Sequence, residues 1–225
     1  MRNTILFVIA AFVFAFYLCT PANARGTLNK SGGNSSAGAE AIELPERYLG
    51  SLKAPIVIKE FTSMTCSHCA EFALKVFPAI EAKYVDTGKV RFVFKDFPLD
   101  AASIKASAIA SCLPAERYLP FKKAVFDALL SGNFGNEKSM KALEDKLVLF
   151  ASLAGLEQEK SRACANDKER QNAIIQSRLD AEKTYSITGT PAFVINNGKQ
   201  VLVGLQSVEK MSAAIDQLLK DAKKQ

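Results

Sequence analysis

A chain of 225 residues with 48% hydrophobic and 23% charged content can bury a core, and that excludes a disordered polypeptide. The formal charge of +6 is modest. The Lys-rich end LLKDAKKQ has no interleaved aromatic residues, so it reads as a solvated helix terminus rather than a nucleic-acid or membrane patch.

In chain order, Arg2 precedes an uninterrupted apolar run over residues 5–18, which has the layout of a secretory leader and falls short of the roughly 20 residues a membrane span needs. Pro21, Ala22, Asn23 and Ala24 add a helix break and an A-x-A pattern, so residues 1–24 are expected to be a signal peptide cleaved after Ala24, with a retained anchor as the alternative. Phe16-Tyr17-Leu18 lacks the small residue of a lipobox, so Cys19 is expected to leave with the leader. Export would place the chain in the periplasm, a disulfide-permissive compartment, and would leave four cysteines: Cys66, Cys69, Cys112 and Cys164. Residues 25–44, rich in Gly, Ser, Asn and Ala, have the composition of a flexible linker.

The folded part is expected from Pro45. PIVIKEF (55–61) reads as a buried strand. The following segment begins at the cysteines and keeps Phe72, Val76, Ile80 and Tyr84 at helical spacing, with Gly88 as its stop and a kink expected at Pro78. VRFVFKDF (90–97) is a second strand, so 45–99 forms a strand-helix-strand unit with a parallel pair. Residues 100–185 carry only helical patterns, broken by Pro114, Pro120, SGNFGN and Gly155. In 186–225, PAFVI and QVLVG flank the turn Asn196-Asn197-Gly198, and Ser207 caps a last helix. The class is α/β, with an all-helical block inserted between β-α-β and β-β-α halves.

The chemistry gathers at TCSHC, where Cys66 and Cys69 enclose the only histidine, His68. A CxxC motif fits a redox dithiol, half a zinc site or a haem attachment. Ala70 after Cys69 removes the haem reading, and Cys112 and Cys164 lack the spacing to complete a zinc site, so no metal is expected. What remains is a dithiol at the start of a helix, where free backbone N–H groups and the helix dipole favour a Cys66 thiolate. His68 in the same turn is expected to add a donor or partial positive charge, unless it is merely a surface helix residue. A stabilised thiolate makes the disulfide a strong oxidant. Cys112 and Cys164 both fall in the helical block; they form either a structural disulfide, closing a loop of about 50 residues worth roughly 4 kcal/mol, or two buried thiols.

From FTSMTCSHC, the helix leading into VRFVFKDFPLD, and TGTPAFVI, the chain resembles the DsbA-like family of bacterial exported thiol:disulfide oxidoreductases, from about Pro45 to the C-terminus. The resemblance implies a thioredoxin fold with an inserted helical domain and no cofactor. It makes Cys66 the exposed attacking cysteine, Cys69 the buried resolving one, and Ser67-His68 the dipeptide that sets the redox potential. It places Thr190-Pro191 in a loop with a cis proline facing the disulfide, and gives Glu60 proton transfer to or from Cys69. On sequence alone Glu60 fits an edge-strand carboxylate equally well. The family commonly has Pro-His where this chain has Ser-His, a departure that bears on the potential. The implied activity is donation of disulfides to reduced exported proteins, with reoxidation by a DsbB-like, quinone-linked membrane oxidase, and the chain is expected to act as a monomer without nucleic acid. Alternatives are an isomerase or reductase of the same fold, and a non-catalytic peptide- or copper-binding module.

Overall fold

The structure, a computed structural model, describes residues 42–222. The expected leader and most of the expected linker lie outside that range. The described residues build a five-stranded sheet in the order β1-β3-β2-β4-β5. Strand β2 (Ile56–Thr62) runs parallel to β3 (Val90–Asp96), as the strand-helix-strand pattern requires. The hairpin of β4 (Ala192–Ile195) and β5 (Gln200–Val203) adds antiparallel to β2. Its turn places Asn196, Asn197 and Gly198 at positive φ, which Asn and Gly tolerate best.

Strand β1 (Arg47–Leu49) pairs antiparallel with β3 and was not expected. Three residues are too few to show alternation. Its place is held by partners far along the chain: the Arg47 guanidinium donates to the carbonyls of Ser111 and Leu113, at 3.4 and 2.5 Å.

Period-two alternation gives β2 two different faces. Ile56 and Ile58 belong to the large core, with Phe92, Phe94, Phe193 and Cys69, while Phe61 joins a smaller cluster on the opposite face with Ala181, Ile187 and Val194. Between β2 and β3 run α1 (Ser67–Glu71), a π-helical turn (Phe72–Val76), α2 (Phe77–Ile80) and a second π-turn (Glu81–Val85). Pro78 sits in the first turn of α2, directly after the first π-turn, and the change of helical pitch falls where its missing N–H would otherwise break the ladder.

The helical block comprises α3 (Ala101–Ser111), α4 (Ala115–Leu130), α5 (Met140–Leu153), α6 (Gln158–Asn166) and α7 (Lys168–Tyr185), and α8 (Val208–Ala222) ends the described chain. Pro114 is the N-cap of α4, but Pro120 does not break that helix. The carbonyl it leaves without a partner belongs to Glu116, and both residues are exposed, so water can satisfy it. Gly155, at φ +88, follows α5 in the left-handed conformation that ends helices.

Candidate active site

Cys66 is the N-cap of α1, half-buried, and Cys69 lies one turn on in the core. Ser67 and His68 between them are exposed. The short loop before them is tied down at Thr65, whose hydroxyl donates to Asp100 Oδ2 at 2.8 Å. Asp100 is also the N-cap of α3, in a reciprocal capping box with Ser103. One carboxylate thus starts the helical block and steadies the cysteine loop.

The two thiols are driven apart. Hydrogen bonding from the Cys69 side chain, with smaller stabilising contributions from Thr190 and the backbone amides of Cys69 and His68, outweighs burial and pulls Cys66 down to about 5. Burial, reinforced by the neighbouring Cys66 sulfur, pushes Cys69 well above the ordinary thiol value. His68 therefore reaches the sulfur through its main chain, and no hydrogen bond of its imidazole occurs among the described residues. As a thiol, Cys66 donates to the Thr190 carbonyl at 3.5 Å, and the Thr190–Pro191 bond is cis. The register, with Phe61 opposite Ala192, brings this loop beside the end of β2 and hence against the dithiol.

Glu60 is buried on β2, a central strand, so it is not an edge-strand carboxylate. Lys122 Nζ from α4 donates to its Oε2 at 2.8 Å and lies 4.5 Å from the Phe94 ring centroid, while Glu60 Oε1 has no hydrogen-bond partner among the described residues. Lys122 was missed in the sequence, although it interrupts the apolar stripe of Tyr118, Phe121, Val125 and Phe126. A lysine on such a stripe calls for a buried anion. Asp96 is a half-buried carboxyl; desolvation raises it, opposed by the Ser107 hydroxyl at 2.6 Å and then by Lys122. Cys112 and Cys164 stand apart from this cluster and are bridged, joining the C-cap of α3 to α6. Among the described residues no cluster of three or more His, Cys, Asp or Glu could hold a metal ion.

Residues 43–217 match the family model described as thioredoxin. A protein of Rickettsia typhi, provisionally named a protein-disulfide oxidoreductase, is 29% identical over 81% of this chain and 65% of its own length, so the chain spans less than two thirds of that relative. The crystal structure of Wolbachia pipientis alpha-DsbA1 is 35% identical, covering 79% of this chain and 92% of that one, with a TM-score of 0.68. BdbD from Bacillus subtilis shares the fold at 20% identity, 78% and 93% coverage and a TM-score of 0.65.

Proposed function

Because the chain belongs to the thioredoxin family and is DsbA-like within it, we propose that it is an exported thiol:disulfide oxidoreductase that donates disulfide bonds to newly exported proteins. The observation that carries this reading is the Cys66 thiol drawn down to about 5 at a half-buried helix start. A substrate thiolate attacks Cys66 Sγ of the Cys66–Cys69 disulfide; the S–S bond breaks and its electron pair leaves on Cys69, which then takes up a proton. A second substrate thiolate attacks the substrate sulfur of the mixed disulfide. A new substrate disulfide forms and Cys66 departs as a thiolate that the helix start already stabilises. Two electrons pass from substrate to enzyme, and a DsbB-like, quinone-linked membrane oxidase removes them.

In this scheme Glu60, with one oxygen free of partners, accepts and returns the Cys69 proton, and Lys122 keeps the carboxylate from being an isolated buried charge. The cis-proline loop presents backbone groups to the substrate strand. Residues 1–24 direct the chain to the periplasm, and Cys112–Cys164 is a structural staple. The test adds stoichiometric oxidised protein to a reduced, unfolded two-cysteine substrate. The expected outcome is one substrate disulfide per enzyme dithiol, abolished by Cys66→Ser. Failure to oxidise that substrate, together with efficient reduction or reshuffling of a scrambled one, contradicts the oxidase assignment. Fusing residues 1–44 to a reporter active only outside the cytosol tests export separately.

A further inference from the structure

Strand β2 ends at Thr62, whose side chain alternation places on the same face as Ile56, Ile58 and Glu60, the face covered by the active-site helix. Continuing the register one step past Phe61 and Ala192 sets Thr62 opposite Pro191. Thr62 is wholly buried, and among the described residues neither its Oγ1 nor the buried Oγ1 atom of Thr190 has a hydrogen-bond partner. Thr62 thus faces the core in which Cys69 lies, and the two hydroxyls, which come from different segments, both favour the Cys69 anion.

A buried hydroxyl without a partner destabilises a fold, and valine has the same shape without that cost. The cost is offset if a strong acceptor forms at that place during the reaction. A neutral thiol is a weak acceptor; a thiolate is a strong one. Cys69 becomes a thiolate when the active disulfide opens, in a setting where burial opposes the charge.

We propose that the Thr62 hydroxyl is a catalytic hydrogen-bond donor that stabilises Cys69 Sγ as it leaves. The role rests on the disulfide-exchange reading. In the step concerned, the incoming thiolate bonds to Cys66 Sγ, the Cys66–Cys69 bond breaks, its electron pair goes to Cys69 Sγ, and Thr62 donates a hydrogen bond without giving up its proton. A leaving thiolate of lower energy leaves faster, so Thr62 acts on rate. Thr190 also contacts Cys66, which makes Thr62 the cleaner probe.

The experiment follows reduction of the oxidised full chain by excess glutathione in a stopped-flow instrument, for wild type, Thr62→Val and Thr62→Ser, alongside urea melts of each oxidised form. The Val variant is expected to react about tenfold more slowly, the worth of one hydrogen bond to a charged atom. It should be at least as stable as wild type, and Ser should restore most of the rate. In a Cys66→Ala background, Thr62→Val should raise the pH midpoint for Cys69 alkylation. Equal rates for wild type and Val, a Ser variant as slow as Val, or a Val variant that is the less stable protein each overturn the role. If wild type fails to exchange with glutathione, the disulfide-exchange reading falls, and this role with it.

Discussion

Cys66 and Cys69 share one helical turn but meet opposite environments. One sulfur collects donors at a half-buried helix start, and the other is sealed in the core. Thiolate absorbance of the reduced protein against pH should show a first midpoint at about 5. Replacing Cys69 with Ala should raise that midpoint more than replacing His68 with Ser, because Cys69 supplies the largest stabilising contact and the residue 68 amide survives substitution. The reverse order would restore the imidazole to the tuning role that the sequence suggested. The CxxC pair and the exposure of its dipeptide were legible because local pattern determines them. The long-range contact at Cys66 was not, since the Thr190 carbonyl that accepts from its thiol comes from a loop 124 residues away. The Glu60–Lys122 pair illustrates the same limit. Each residue looks anomalous on its own apolar element, but the pairing spans 62 positions. Removing one partner of a buried pair typically costs about 3–5 kcal/mol, so Lys122→Met should lower stability by that order in denaturant melts. The double variant Glu60→Gln/Lys122→Met should recover much of the loss.

At the scale of elements, the strands β2 and β3 and the β4–β5 hairpin follow from hydrophobic period and turn chemistry, and the insertion was legible as helical, although the break between α6 and α7 at Asp167 was not. Strand β1 escaped because its stability lies in Arg47 reaching the end of α3, a contact without local signature. Pro120 misled because α4 continues through it, with the abandoned Glu116 carbonyl on an exposed face where water can satisfy it. The bridge between α3 and α6 closes a separation of 52 residues, and the chain-entropy model values such a loop at about 4 kcal/mol. Substituting both Cys112 and Cys164 with Ala should therefore lower unfolding free energy by about 2–4 kcal/mol while leaving Cys66 titration in place. A loss of titration together with stability would mean that the insertion shapes the thiol site directly. The link available for that is Thr65 to Asp100. Asp100→Ala, which removes both a cap and this tie, should cost about 1–2 kcal/mol in the same melts.

Over the whole molecule, the order β-α-β, helical insertion, β-β-α was readable because each part announces itself locally, whereas the sheet order β1-β3-β2-β4-β5 brings distant segments together at one point. That convergence makes the redox state of two cysteines a property of the entire fold. Cys66 is drawn down from an ordinary value of 9.0 to about 5 in the folded reduced protein. A depressed thiol of this kind stabilises the reduced form fully above the unfolded value, progressively less as pH falls, and not at all below the folded value. The oxidised form has no such thiolate. The most direct test is to compare denaturant melts of the fully oxidised protein with those of a form reduced only at Cys66 and Cys69, with Cys112–Cys164 intact, at pH 7 and pH 4. The reduced form should be the more stable one at pH 7, and its advantage should shrink markedly at pH 4. An oxidised form that is equally or more stable at pH 7 would contradict a strong oxidant and make the Cys66–Cys69 disulfide a structural staple.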